Sequence, residues 1–304
     1  MSKKLWGNKM SFIQAKTTFE NITNQVWTNL EAAYDNELTF RETTISDLIF
    51  LYLKQQNLSY VILEPTKHSD EKHQGTDWEW WIGSPKLGWL RYSVQAKIYS
   101  SKSRSYESLD HNINKIYQID ILRNYSLRKS AIPIYALYNY VNWNDEIDIY
   151  KINSKSKKKL LKETVKKQLL SKHNWKDLGV TITPLNNIQK LIQPRKNKIK
   201  DTFNNFSYLH GFSNTISLPE ILEYSSKYLN DLYYQKKPIF NLKKFFNLNT
   251  NIKVYSNMNI GQLLEESYAG LVFDEATDAI VLPSRIMIIR SCIHKHKFLN
   301  NCPI

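Results

Sequence analysis

The sequence contains only eight glycines and two cysteines among 304 residues, and each shortage excludes a class of protein. So few glycines leave little material for the glycine-rich loops that cradle nucleotide phosphates, and no such loop occurs. Two cysteines are too few for a disulfide scaffold, which is typical of a reducing compartment. No apolar run is long enough to span a membrane, and the first twelve residues lack a signal-peptide core, so we expect a cytoplasmic protein.

What the chain has in excess is positive charge, with a formal net charge of +14 at pH 7. A charge of this size predicts a polyanionic partner, either nucleic acid or an anionic membrane surface. Hydrophobic residues make up 42% of the chain and aromatic residues 13%, which is ample for a folded core. The best candidate domain boundary is the basic segment 194–200, which separates a domain of residues 1–193 from an accessory region of residues 194–304.

Two alternating runs in residues 75–98 predict a β-hairpin. The apolar face of the first run carries Trp78, Trp80 and Ile82, and the apolar face of the second carries Leu90, Tyr92, Val94, Ala96 and Ile98. Paired strands share their faces, so the remaining side chains collect on the other side of the hairpin. The polar side chains that we expect to converge there are Asp77, Glu79, Gln95 and Lys97.

This polar set predicts a metal site. Hard cations such as Mg²⁺ or Mn²⁺ prefer oxygen ligands, which Asp77, the carboxamide of Gln95 and the backbone carbonyl of Ala96 can supply. A lysine in the position of Lys97 can orient a water molecule or stabilise developing negative charge. The combination suits phosphodiester hydrolysis.

The elements around the hairpin follow from hydrophobic periodicity. Apolar spacing predicts helices over residues 11–34, 39–56 and 105–128, and dense apolar runs predict strands over residues 58–64 and 132–140. From residue 39 onward the order is therefore helix, three strands, helix, strand. Later in the chain we expect an edge strand at residues 180–184 and helices at 188–192 and 219–234, whereas the architecture between residues 239 and 289 stays unassigned.

Asp77 followed by Gln95-Ala96-Lys97 resembles the PD-(D/E)xK nucleases, in the variant with glutamine in place of the last acid, as in Mrr-like restriction endonucleases. Thr76 stands where that motif has proline. The resemblance covers roughly residues 39–140 and implies an α/β fold with a restriction-endonuclease-like αβββαβ core, a mixed central sheet flanked by helices, followed by a C-terminal α+β extension. It also implies a Mg²⁺-dependent endonuclease that acts on nucleic acid, most simply DNA, in bacterial defence against phage or foreign DNA.

The sequence leaves the second carboxylate of the site open. In the family that the sequence resembles, the helix before the first core strand often carries an acid that completes the metal site, which would be Glu42. Thr39-Phe-Arg-Glu42 also has the spacing of a capping box, in which case Glu42 only caps its own helix. Glu79 is the alternative second carboxylate.

Two basic segments are candidates for phosphate contacts. The first is a predicted amphipathic helix over residues 151–172, and the second is the cluster that follows residue 194. Their candidate phosphate-binding residues are Lys155, Lys157, Lys158, Lys159, Lys162, Lys166, Lys167, Arg195, Lys196, Lys198 and Lys200. A solvated surface explains the helix nearly as well, and a membrane-surface or partner-binding role is a third interpretation.

The main alternative to a nuclease is a catalytically inactive nucleic-acid-binding protein on the same fold. Such a protein would keep the basic surface but would not depend on a metal.

A zinc site near the end of the sequence is not predicted. The spacing of its candidate ligands matches no standard zinc finger, so scattered surface or core residues are the simpler interpretation; these candidates are Cys292, His294, His296 and Cys302. A nuclease must be restrained in its host, which predicts a regulatory protein or activating ligand, and an oligomer is compatible with the sequence.

Overall fold

The computed structural model describes residues 12–56, 61–65, 76–103, 105–106, 108–109, 111–113, 115–142, 175–192, 206, 209–210, 215–236, 241–248, 251–256 and 285–290. Within these ranges the chain has an α/β fold in which helices flank one mixed, open sheet of eight strands. None of the described helices combines the length and the apolar character that crossing a membrane requires.

The helices are α1 (Phe12–Asp35), α2 (Glu42–Gln55), α3 (Gln118–Arg128), α4 (Leu185–Ile192), α5 (Leu218–Tyr233) and α6 (Leu242–Phe246), with a 3₁₀ turn at Trp175–Leu178. The strands are β1 (Val61–Pro65), β2 (Trp78–Ser84), β3 (Gly88–Ser100), β4 (Ser105–Tyr106), β5 (Asn112–Ile113), β6 (Ile116–Tyr117), β7 (Ile132–Tyr138), β8 (Val180–Pro184), β9 (Ile216–Ser217) and β10 (Arg285–Arg290). The main sheet has the order β1-β10-β2-β3-β7-β8-β9, with β4 attached to β3, whereas β5 and β6 form a separate hairpin.

The predicted hairpin is confirmed and lies in the middle of the sheet. β2 and β3 pair antiparallel from Trp78 opposite Val94 to Ser84 opposite Gly88. The tight connection depends on Gly88, whose φ of +82° is unfavourable for any residue with a side chain. Trp78 and Trp80 of β2, which alternate along the strand, are both buried in the core, as the sequence predicts.

β7 lies on the other side of β3 and runs parallel to it. A parallel pair needs a crossover connection, which α3 provides by packing on both strands. The pairing sets Gln95 opposite Tyr135 and Lys97 opposite Leu137. We infer that α3 covers the face of β3 that carries Gln95 and Lys97.

Residues on both sides of position 194 contribute to the same sheet. β9 pairs with β8, and β10 lies between β1 and β2, parallel to β2 and antiparallel to β1. The predicted helix, three strands, helix and strand follow one another along the chain, with three short strands, β4, β5 and β6, inserted before α3. In the sheet, β1 and β2 are separated by a strand from the far end of the sequence.

Two predictions of secondary structure are wrong, and the capping-box interpretation of Glu42, one of the two left open, is not supported. The helix expected over residues 105–128 begins only at Gln118, because Ser105–Tyr106 pairs with the end of β3 and both Ser108 and Lys115 have left-handed backbone angles that a helix excludes. The strand at Val180–Pro184 is not at the edge, since β9 covers its outer side. The capping box at Thr39 is absent, because α2 begins only at Glu42.

Candidate active site

The structure brings Asp77, Gln95 and Ala96 into direct contact. Asp77 lies one residue before β2, and its backbone N–H donates to the carbonyl of Val94 at 2.8 Å, which extends the hairpin ladder. Its Oδ2 accepts hydrogen bonds from Gln95 Nε2 and from the backbone N–H of Ala96, both at 2.7 Å. Thr76 donates its hydroxyl to the carbonyl of Val94 at 3.0 Å and so helps to fix the approach to Asp77.

The pKa of Asp77 shows which charges surround it. Burial raises this pKa to about 6, against the lowering effect of the two hydrogen bonds and of the Lys97 ammonium, and the Glu42 carboxylate raises it further. Lys97 is itself only 6% exposed. Gln95 and Ala96 therefore contact Asp77 directly, and the charges of Lys97 and Glu42 influence it.

Glu42 is not the end of a capping box. A capping box would require Thr39 as the N-cap, but α2 begins at Glu42, and its N-cap is Arg41, which makes no capping hydrogen bond. Thr39 lies outside the helix. The charge of the Glu42 carboxylate makes a minor contribution that raises the pKa of Asp77. Without a capping box, the metal-site interpretation of Glu42 remains as a prediction.

Glu79 lies on the predicted face of the hairpin, but its contacts are those of an internal ion pair and not of a metal ligand. Its carboxylate is fully buried, and its Oε1 accepts hydrogen bonds from Arg91 Nη2 at 2.6 Å, Arg91 Nε at 2.9 Å and the Tyr125 hydroxyl at 2.9 Å. Trp81 Nε1 donates to the other oxygen at 3.3 Å, and the Arg91 guanidinium stacks over the Trp81 ring. Glu79 thus serves an internal ion pair that joins the hairpin to α3.

The residues present fit a divalent cation in their donor chemistry. Gln95 Oε1 is buried and has no hydrogen-bond partner in the described part of the chain, an arrangement that costs about 1–3 kcal/mol unless something satisfies it. A cation would take this oxygen, the Ala96 carbonyl and the carboxylates of Asp77 and Glu42. The described residues contain no group of three or more His, Cys, Asp or Glu side chains that could hold a metal ion, so a cation bound here would depend on amide and carbonyl oxygens as well.

Three neighbours of the site were missed by sequence reasoning. Tyr135 is buried opposite Gln95, and burial together with the charge of Asp77 raises the pKa of its phenol. Arg123 and Asp120 of α3, which form an ion pair with each other, also act on Tyr135. The alternation of β7 assigns Tyr135 a face, but only the register between β3 and β7 sets it beside Gln95.

The predicted phosphate contacts in residues 151–172 and 195–200 lie outside the described residues, as do Cys292, His294, His296 and Cys302.

Asp77→Asn is expected to change how stability depends on pH. The folded-state pKa of about 6 exceeds the ordinary value of 3.8, so the folded protein binds more protons between those values, and wild-type stability falls as the pH rises through this window. An asparagine side chain is never charged, so its burial has no cost that depends on pH. The Gln95 amide can rotate to donate to this asparagine or to accept from it. The variant should gain stability relative to wild type from pH 4 to pH 7, by roughly 3 kcal/mol at most. Urea unfolding at both pH values measures this difference, and a constant difference would contradict it.

Comparison with known proteins gives one match. A family model described as a family of unknown function (DUF6615) matches residues 15–226, more than two thirds of the chain. No curated protein and no solved structure matches the chain. The matched region runs from α1 into α5 and contains every residue of the candidate site.

Proposed function

We propose that this chain, which belongs to the family of unknown function DUF6615, is a metal-dependent nuclease that hydrolyses phosphodiester bonds of nucleic acid, most simply DNA. The observation that carries the proposal is the buried contact of Gln95 with Asp77, which the charges of Lys97 and Glu42 also influence. The restriction-endonuclease-like core and a role in defence against foreign DNA are parts of the same proposal.

Each side chain has a role that its surroundings support. Asp77 and Glu42 provide negative charge, and Gln95 provides a neutral oxygen that is otherwise unsatisfied. Mg²⁺ or Mn²⁺ bound there would supply Lewis acidity and a water of lowered pKa. The ammonium of Lys97, held in a largely buried position beside Asp77, stabilises negative charge that develops on the phosphate oxygens, and burial strengthens this effect because little water screens it.

The proposal is tested by incubating the purified protein with single-stranded DNA, duplex DNA and RNA, in Mg²⁺ or Mn²⁺ and in EDTA. We expect cleavage of at least one substrate, which EDTA abolishes. Binding without metal-dependent cleavage would favour the catalytically inactive nucleic-acid-binding protein. Binding to anionic vesicles without affinity for nucleic acid would favour the membrane-surface role.

Glu42→Gln tests the second carboxylate. The variant keeps the side-chain length but removes the charge, so we expect a near-wild-type melting temperature, nucleic-acid binding at least as tight, and activity that is lost or demands far more Mg²⁺. Glu37→Gln, at an exposed position just before α2, is the matched control and should cleave as wild type does. Full activity of Glu42→Gln at low Mg²⁺ would remove Glu42 from the site.

Replacing Lys157, Lys158 and Lys159 together by glutamine tests the phosphate contacts. Each lost contact should reduce the slope of log affinity against log salt by about 0.9 on duplex DNA, and sequence preference should stay low. The slope is measured by titrating labelled DNA at several salt concentrations. An unchanged slope would show that these lysines face solvent.

A further inference from the structure

The small hairpin of β5 and β6, immediately before α3, has two residues that are unusual for their backbone positions. Lys115 has a φ of +68°, a conformation that favours glycine. Tyr117 occupies the N-cap of α3, where Ser, Asp or Asn is preferred, and makes no capping hydrogen bond. Departures of this kind concentrate at functional sites, where another requirement outweighs local stability.

The same positions expose large side chains. Ile116 is 52% exposed and Tyr117 is 43% exposed, and Lys115 between the strands is exposed as well. The hairpin is nevertheless ordered by its own backbone, since Asn112 pairs with Tyr117 and the N–H of Gln118 donates to the carbonyl of His111 at 2.9 Å. Lys115 and Tyr117 thus offer an ammonium and an aromatic ring on the same small hairpin, whereas Ile116, the residue before Tyr117 in β6, points to the opposite face of the strand.

The hairpin is also joined through α3 to the surroundings of the candidate site. α3 begins directly after Tyr117 and carries Asp120 and Arg123, whose charges act on Tyr135 beside Asp77. From Tyr117 to Arg123 the helix rises by roughly 9 Å, at about 1.5 Å per residue. The exposed side chains are therefore within reach of nucleotides that adjoin a bond held at Asp77.

We propose that the hairpin of β5 and β6 binds an unpaired base of the nucleic acid, with Tyr117 stacking on the base and Lys115 contacting the backbone phosphate. Aromatic rings bind unpaired bases of any identity by stacking, and a cation beside the ring neutralises the strand. The net charge of +14 complements such a polyanion. The proposal rests on the proposed function for its substrate and deepens it: the enzyme prefers strands with unpaired bases near the cleavage point.

The test uses the full-length protein in EDTA and a fluorescent single-stranded oligonucleotide that contains 2-aminopurine, with the matching duplex as a second probe. Tyr117→Ser supplies a better N-cap and Lys115→Gly relieves the left-handed backbone, so both variants should melt no lower than wild type. Ile116→Ser removes an exposed side chain from the opposite face of β6 and serves as a control within the hairpin. Leu51→Ser, at a residue of α2 that is also 52% exposed, is the matched control.

We expect Tyr117→Ser to weaken single-strand binding roughly tenfold or more and to abolish the 2-aminopurine quenching, while duplex binding changes much less. Lys115→Gly should weaken binding by a smaller factor, and Ile116→Ser and Leu51→Ser should leave it unchanged. Equal losses on single strand and duplex, wild-type affinity of Tyr117→Ser, or no single-strand binding by wild type would each overturn the proposal.

The outcome is separable from that of the nuclease itself. Tyr117-dependent binding in a wild-type protein that cleaves nothing in Mg²⁺ or Mn²⁺ would support the hairpin and contradict the nuclease. Metal-dependent cleavage with full single-strand affinity in Tyr117→Ser would support the nuclease and contradict the hairpin.

Discussion

Lys97→Ala is expected to lower the cleavage rate at least a hundredfold while the protein stays folded. The ammonium of Lys97 acts on Asp77 from a position that is only 6% exposed, where its charge is weakly screened. Removing a preorganised group that stabilises transition-state charge typically costs a factor of about 10²–10³ in rate. The measurement is a single-turnover cleavage assay, together with a thermal melt of the same preparation.

Lys102→Ala is the control for Lys97, because Lys102 is an exposed lysine just beyond the end of β3. It should leave the chemical step unchanged. Wild-type cleavage by a folded Lys97→Ala protein would remove Lys97 from the reaction.

Glu79→Ala is expected to destabilise the protein by about 3–5 kcal/mol, because it leaves the buried Arg91 charge without its partner. The variant also deprives the Tyr125 hydroxyl and the Trp81 indole of their acceptor. The free energy of unfolding is measured by urea titration. A loss of activity in this variant would follow from the loss of the fold, not from the loss of a metal ligand.

The control for Glu79 is an ion pair of equal length on the surface. Glu223 and Lys227 of α5 also approach to 2.6 Å, but the Lys227 side chain is 47% exposed. Glu223→Ala should therefore cost less than about 1 kcal/mol. If Glu79→Ala cost no more than Glu223→Ala, the buried pair would not have the structural role assigned to it.

The sequence predicts much of the site because strand alternation is a local property. Asp77 and Gln95 are adjacent because a hairpin with a short turn has a restricted register, and clean apolar faces exclude a shift by one residue. The side of the sheet on which the polar residues lie follows from the same pattern. The long helices α1 and α5 are recovered by the same kind of argument, from a period of 3.6 residues.

The remainder depends on long-range contacts. Nothing local to Glu79 reveals that Tyr125, 46 residues away, donates to it, or that Tyr135 pairs opposite Gln95. The insertion of β10 between β1 and β2 joins segments that are more than 200 residues apart, so the local hydrophobic periodicity cannot predict it. The overlong helix prediction before Gln118 failed because apolar residues at helical spacing also occur in short strands whose turns have left-handed residues.

The central claim is that metal-dependent cleavage is carried out at Asp77, and wild type and Asp77→Asn test it most directly when purified and assayed side by side. Asp77→Asn keeps an acceptor for the N–H of Ala96 but removes the carboxylate charge. The measurement is the rate of cleavage of labelled single-stranded and duplex DNA in Mg²⁺ or Mn²⁺, with EDTA controls. We expect the wild-type protein to cleave in the metal only, and the folded Asp77→Asn protein to bind DNA without cleaving it. Equal cleavage by both proteins would contradict the assignment of the active site, and no cleavage by wild type under any of these conditions would contradict the nuclease.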